Sequence, residues 1–172
     1  MKNVDCKELK QKGLEDLKKE IEGKEVTLKV IQVAGDSASD LYVRNKKKAS
    51  EQIGINFEHI LLPEDITEDE IISLIETFNT DDKTHGIMVQ LPLPKTLDEE
   101  KIINTINPDK DVDGLTNQNL GRIVTRREGL RPCTAEGVIN VIDECAGLDN
   151  IKGKEVVIIG RTTLVGLPLI HM

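Results

Sequence analysis

Tyr42 and Lys46 place a phenol ring and an amine four residues apart, in a stretch (Tyr-Val-Arg-Asn-Lys) that reads as helix. Four residues make about one turn, so the two groups leave the same face. A flat ring can hold a planar ligand while the neighbouring amine moves a proton on it. The spacing also fits a solvated basic helix face, because Arg44, Lys46, Lys47 and Lys48 form a run of positive charge. Ser39 stands three residues ahead of Tyr42, the chain's only tyrosine.

Three further clusters carry polar groups where an open α/β sheet binds ligands, beyond the carboxyl ends of its strands. Gln90 interrupts the apolar run Val89-Gln90-Leu91, and Pro92 and Pro94 hold the following segment extended. A stiff strand exit with a solvated glutamine reads equally well. Asp111 and Asp113 lie in Pro108-Asp-Lys-Asp-Val-Asp-Gly114. No His, Glu or EF-hand spacing supports a metal there. A carboxylate accepting hydrogen bonds from an amino-substituted heterocycle is the functional alternative to a plain Asp-Gly turn. Gly160-Arg161-Thr162 opens a turn after an apolar run, where a dinucleotide pyrophosphate meets backbone N–H groups. The generic Gly-x-Gly-x-x-Gly fingerprint is absent, and an ordinary βα turn stays open as a reading. Tyr-x-x-x-Lys also marks short-chain dehydrogenases, but there the glycine-rich turn precedes the tyrosine. Here it follows, which excludes that family.

The elements that must position these residues alternate. Leu9, Leu14, Leu17 and Ile21 form one helical stripe across 5–22. Strands are expected at 26–33, 55–62 and 86–91, the last apolar enough to be buried on both faces. Helices are expected at 38–53, closed by Gly54, and at 97–106. Another follows the capping box Thr67/Glu70 and carries Ile71, Ile72, Leu74, Ile75 and Phe78. Residues 107–133 read as loop, Thr134 as the cap of a helix to about 146, and 154–159 as a buried strand. The rhythm predicts an α/β fold: a three-layer α/β/α domain with a mostly parallel sheet over 1–118. The start of a Rossmann-like NAD(P)-binding domain is expected over 119–172. One strand cannot make a nucleotide-binding sheet, so that second unit is expected to be incomplete.

Composition narrows the function classes. Hydrophobic residues make up 38% and charged residues 31% of the 172, which fits a soluble globular chain. A net charge of −8 argues against a nucleic-acid partner, which wants a basic face. Cys6, Cys133 and Cys145 are odd in number and form no CxxC pair, so they read as reduced thiols without disulfide or zinc. The polar start Met1-Lys2-Asn3-Val4-Asp5 is no signal peptide. No apolar run nears the ~20 residues that span a bilayer. A cytoplasmic protein without a membrane partner is expected.

Together the clusters resemble the bifunctional methylenetetrahydrofolate dehydrogenase/cyclohydrolase family. The resemblance rests on Tyr-Val-Arg-Asn-Lys-Lys-Lys-Ala at 42–49, His-Gly-Ile-Met-Val-Gln-Leu-Pro-Leu-Pro at 85–94, Asp-Lys-Asp-Val-Asp-Gly-Leu at 109–115, Arg-Pro-Cys-Thr at 131–134 and Gly-Lys-Glu-Val-Val-Ile-Ile-Gly-Arg at 153–161. It implies a two-step conversion of tetrahydrofolate derivatives in one-carbon metabolism and purine biosynthesis. Methylenetetrahydrofolate gives a hydride to NADP, with NAD left open, and water then hydrolyses the methenyl product to 10-formyltetrahydrofolate. By position, Lys46 moves the proton, Tyr42 packs on the folate, Gln90 tunes Lys46 and Asp113 binds the pterin edge. Ser39, Val89 and Leu91 complete the substrate set, Gly160, Arg161 and Thr162 begin the cofactor site, and no metal is implied. Arg44, Lys47 and Lys48 are candidate cationic neighbours for Lys46. The family expectation is a homodimer. Thr162 stands where the family usually has Ser, Leu167 where it has Lys and Ala135 where Pro is frequent. The chain is expected to be truncated within the cofactor domain and weakly active or inactive alone. A non-catalytic folate-binding or interaction module is the alternative.

Overall fold

The computed structural model describes residues 5–172, so the reading of Met1–Val4 lies outside the described residues. Helix α1 spans Cys6–Glu20, and the Asp5 carboxylate accepts from the N–H groups of Lys7 and Glu8 at its start. Strand β1 (Thr27–Val33) follows. Helix α2 (Ser37–Ile53) is capped by Asp36 and ends at Gly54 in the left-handed region. Strand β2 (Asn56–Leu62) leads to α3 (Glu68–Thr80), where Thr67 and Glu70 form the expected capping box. Strand β3 covers Gly86–Val89 and α4 covers Glu99–Thr105.

The three strands form one parallel sheet in the order β2-β1-β3. Its two faces separate by the period of two along each strand. Ile31, Val33, Ile87 and Val89 pack with Ile71, Ile75 and Phe78 of α3 and Ile102 of α4. Val30 and Met88 face the other way and pack with Val43 of α2. The expected α/β/α layering therefore holds, and α2 is the layer that covers the Met88/Gln90 face. Helix α1 lies on α2 as an outer element with only half-buried or exposed apolar residues.

The far edge of β3 is closed by the segment after α4. Ile87 donates its N–H to the Lys110 carbonyl at 2.7 Å and accepts from the Val112 N–H at 3.4 Å. The Lys110 ammonium donates to the carbonyls of Phe78, Asn79 and Asp81 at 2.9–3.1 Å, capping the C-terminal end of α3. One side chain thus ties the α3 terminus to the strand edge.

Two expectations are corrected. Within 107–133 a helix forms, α5 (Asn117–Val124), capped by Thr116. Its sequence, Asn-Gln-Asn-Leu-Gly-Arg-Ile-Val, has weak intrinsic propensity. Tertiary bonds hold it: Asn119 Nδ2 donates to the Pro108 carbonyl at 2.8 Å and to Asp111 Oδ2 at 3.0 Å. Residues 154–159 form no strand, and Val157 and Ile159 are 86% and 98% exposed. Among the described residues no neighbouring strand is there to pair with them, so their β propensity is not expressed. Helix α6 (Cys133–Ala146) starts at Pro132 without a side-chain cap, so Thr134 lies inside it, and Ala135 is buried. The short helices α7 (Leu148–Ile151) and α8 (Gly166–His171) complete the described chain, α8 packing on α5 and α6.

The α3/α4 face should dominate stability. Ile75→Ala, at a fully buried position, is expected to cost about 2–5 kcal/mol in urea denaturation. Leu17→Ala on the outer helix, 46% exposed, is expected to cost under about 1 kcal/mol. Equal losses would show that α1 belongs to the core.

Candidate active site

Alternation along β3 sends Gln90 to the α2 side, where Lys46 meets it. Lys46 Nζ donates to Gln90 Oε1 at 3.1 Å and lies 3.3 Å from Met88 Sδ. Gln90 is 8% exposed, and its other amide end is fixed as well. Gln90 Nε2 donates to the Leu91 carbonyl at 2.6 Å, so Oε1 must face Lys46. Ser39 Oγ reaches the same Leu91 carbonyl at 3.5 Å and donates to Asp36 Oδ2 at 2.6 Å. That hydroxyl is the chief cause of a lowered Asp36 pKa, with the Ala38 and Ser39 N–H groups adding to it. Ser39 is therefore buried at the helix start, one bond removed from the pocket.

Tyr42, Lys46, Gln90 and Asp113 line one pocket of about 400 Å³. Leu91, Leu115, Leu164, Pro132, Cys133 and Thr134 complete its walls. Tyr42 is 60% exposed, leaving its ring free to stack. Val89 points its side chain away, into the α3/α4 core. Gly160 and Arg161 do not line this pocket and are exposed. Thr162 lines an adjoining cavity of about 460 Å³ that shares Leu91, Leu115 and Leu164 with the first.

The two candidate carboxylates take different roles. Asp111 is buried and accepts from the Thr116 N–H at 2.8 Å and from Asn119 Nδ2 at 3.0 Å, which makes it the organiser of the loop. Asp113 faces the pocket. Burial raises its pKa, the Asp111 charge acts in the same direction, and Lys46 and a Cys133 hydrogen bond oppose them. Cys133 is exposed as a residue, but its thiol packs inward and lies 3.1 Å from the Val112 carbonyl. Burial, reinforced by the Asp113 charge, pushes that thiol up to about 11, so it stays protonated near neutrality.

The charge facing Lys46 is thus a carboxylate. The expected cationic neighbours go elsewhere. Lys47 pairs with Glu51 at 3.9 Å, Arg44 Nε donates to the Asp40 carbonyl at 3.2 Å, and Lys48 lines the α1–α2 seam. Adjacent residues on a helix diverge by about 100°, which takes these side chains off the Lys46 stripe.

An aromatic face, an oriented amine–amide pair and a half-buried carboxylate around one pocket suit a planar, amino-substituted heterocycle. Comparison with known proteins identifies the family. The family described as tetrahydrofolate dehydrogenase/cyclohydrolase, catalytic domain, matches residues 4–113. The chain belongs to that family. It is 48% identical over 162 residues to the bifunctional protein FolD of Agathobacter rectalis, covering 94% of this chain and 56% of that one. The crystal structure of bifunctional FolD, methylenetetrahydrofolate dehydrogenase/cyclohydrolase, from Campylobacter jejuni superposes with a TM-score of 0.90 at 39% identity, over 95% of this chain and 59% of that one. The Trypanosoma brucei FolD structure, complexed with NADP cofactor and inhibitor, gives 0.90 at 30% identity, over 98% and 59%. The chain therefore spans a little over half the length of these family members.

The sequence patterns placed none of Pro132, Cys133 and Thr134 at a ligand pocket, although Arg-Pro-Cys-Thr carried part of the family resemblance. The signal that joins them to the pocket is Gly114. At φ +67, a Cβ there would collide with the Arg131 carbonyl carbon and sit 2.7 Å from the Arg131 oxygen and Pro132 nitrogen. Glycine lets the 131–132 backbone lie on the loop and brings Cys133 over Asp113.

Two outcomes follow. Gly114→Ala should separate the loop from the α6 start and weaken ligand binding, measured by calorimetry. Unchanged affinity would show that the contact is dispensable. The raised Asp113 pKa means the folded state holds more protons than the unfolded one from the ordinary carboxylate value up to the raised value, so stability falls as pH rises through that window. Asp113→Asn removes this loss. Its melting temperature relative to the parent should therefore rise between pH 4 and 8, whereas a pH-independent difference would contradict the assignment.

Proposed function

We propose that the Tyr42–Lys46–Gln90–Asp113 pocket binds the pterin of a tetrahydrofolate derivative. In the whole protein it would serve oxidation of 5,10-methylenetetrahydrofolate and hydrolysis of the methenyl product to 10-formyltetrahydrofolate. The observation that carries this reading is the Lys46 Nζ–Gln90 Oε1 bond of 3.1 Å inside the pocket that Asp113 also lines. Tyr42 stacks on the ligand. The Asp113 carboxylate accepts N–H bonds from the pterin edge. Gln90, locked by the Leu91 carbonyl, holds the Lys46 nitrogen toward the one-carbon bridge. In the hydrolytic step Lys46, as the neutral amine, takes a proton from the water that adds to the methenyl carbon; the bond from that carbon to N5 then breaks as the proton passes to N5, leaving the formyl group on N10. Ser39 and Asp36 hold the start of α2, while Val89 and Leu91 hold the strand exit.

NADP would accept the hydride of the first step. Gly160, Arg161 and Thr162 are its candidate contacts, with NAD as the other possibility. The turn fits a phosphate-bearing group. A Cβ on Gly166 would collide with the Gly160 carbonyl oxygen and lie 2.6 Å from its carbon, so the turn closes tightly. The Arg161 and Thr162 side chains are left exposed. Residues 1–118 form the folate-binding unit in this reading, and 119–172 begin the cofactor domain. Formyl supply to purine biosynthesis, a cytoplasmic location and a homodimer are part of the same proposal. Exposed Val156, Val157 and Ile159 support association. The same exposed segment favours a second reading, a folate-binding module without dehydrogenase activity, because among the described residues no strand pairs with the segment ahead of the cofactor turn.

Calorimetric titration with tetrahydrofolate and with NADP separately tests both readings. Folate binding without NADP binding supports the module, and binding of neither rejects both. Lys46→Ala should slow methenyltetrahydrofolate hydrolysis by roughly 10²-fold or more, followed by loss of methenyl absorbance, while folate affinity changes only a few-fold. Hydrolysis at the parent rate would overturn the role of Lys46.

A further inference from the structure

A second polar chain crosses the α2 face of the sheet, beside the Lys46–Gln90 pair. Gln32 of β1 is 1% exposed, and both ends of its amide are engaged. Its Nε2 donates to Asp40 Oδ1 of α2 at 2.7 Å, and its Oε1 lies 2.9 Å from His59 Nε2 of β2. An ionised carboxylate only accepts, so the amide nitrogen must face Asp40 and the amide oxygen must face His59. His59 therefore carries a proton on Nε2. Imidazole, amide and carboxylate follow one another, with every donor pointing toward Asp40.

Alternation puts Gln32 and Gln90, each two residues further on, on the same sheet face as Val30 and Met88. The Gln90 N–H donates to the Ile31 carbonyl at 2.8 Å, which continues the β1–β3 pairing. Two glutamines thus stand side by side at the carboxyl ends of adjacent strands, and each is bonded to α2. At about 100° per residue, Asp40 and Lys46 lie about 60° to either side of Val43, the residue that α2 packs against Val30 and Met88. Tyr42 falls on the Lys46 side. The two amides therefore hold opposite flanks of α2, about 9 Å apart along its axis, and oppose its rolling on the sheet. Apolar packing gives less hold here than on the other face. Among the described residues the cluster under α2 has three buried members, Val30, Val43 and Met88, against ten in the α3/α4 cluster. Lys46 cannot be the permanent anchor, because a group that takes up a proton must change its hydrogen bonds. Asp40 bears no such demand.

We propose that Gln32 is a positioning residue for the pocket: held between His59 and Asp40, it fixes the roll of α2 and so the placement of Tyr42 and Lys46 against the ligand. The proposal rests on the folate reading of that pocket. Its test compares Asp40→Leu with Asp40→Asn in the 172-residue chain. Asp40 is exposed, so neither change disturbs the core. Both remove the charge, and only asparagine keeps a hydrogen-bonding partner for the Gln32 amide. Calorimetric affinity for tetrahydrofolate should fall roughly tenfold in Asp40→Leu, the scale of one hydrogen bond, and stay within about twofold of the parent in Asp40→Asn. Gln32→Met, of similar volume, should match Asp40→Leu. The double variant Gln32→Met/Asp40→Leu should lose no more than either alone, because both cut the same bond.

Nitrogen NMR of the His59 ring at alkaline pH supplies a readout that a loss of stability does not move. The parent should hold the Nε2–H tautomer alone, and Asp40→Leu should show a mixture, although Gln32 stands between the two residues. Ile75→Ala, destabilised on the opposite face of the sheet, should bind like the parent. Equal affinities of Asp40→Leu and Asp40→Asn, an Nδ1–H tautomer in the parent, or an equal loss of affinity in Ile75→Ala overturns the role of Gln32 while leaving the pocket reading intact. A parent chain that does not bind tetrahydrofolate rejects the pocket reading itself, and this proposal with it.

Discussion

The pairing of residues 110–112 with the edge of β3 is the constraint on which the site depends. β3 is an edge strand of a three-stranded sheet, and an open edge would leave backbone groups unpaired. The Ile87 N–H and carbonyl are taken up by Lys110 and Val112, while the Lys110 side chain caps α3. This clamp fixes the register of a loop that otherwise has no ladder. With Val112 held, Asp111 turns inward to organise Thr116 and Asn119, and Asp113 turns to the pocket. A slip of one residue would put Val112 in the place of Asp111 and turn both carboxylates from their present sides.

Lys46 and Asp113 come from parts of the chain 67 positions apart, yet the Lys46 charge bears on Asp113. Gln90, an oriented neutral group, holds Lys46, and its amide direction is set by the Leu91 carbonyl. A glutamine with one end committed cannot flip, and this lets a neutral residue hold an amine in a defined place. The pocket therefore combines a rigid interior, built on β3 and α2, with an open aromatic rim at Tyr42. Such a division suits a ligand whose ring needs exact placement and whose tail leads to solvent.

Much of this was legible beforehand. The Tyr42–Lys46 spacing gave a shared helix face because helical periodicity is local. The apolar run at 86–91 told of a strand buried on both faces. Both capping at Thr67 and the parallel β-α-β order followed from patterns within a few residues. Helix α5 escaped because its residues are poor helix formers and Asn119 holds it through bonds to Pro108 and Asp111. The apolar run at 154–159 misled for the converse reason: β propensity is expressed only against a partner strand, and none is present among the described residues. The cations near Lys46 in sequence also misled, since neighbours along a helix point apart.

By itself the sequence determined the layering, the helix that carries Tyr42 and Lys46, and the family to which those motifs belong. These rest on short-range periodicity, capping and turn chemistry. Only the tertiary structure decided that Gln90 is bonded to Lys46, that Asp113 and not Asp111 lines the pocket, and that Cys133 joins its wall through the close contact at Gly114. Each of those depends on which backbone segments dock side by side, and docking is set by strand-edge pairing and close packing between distant residues, which no local pattern encodes.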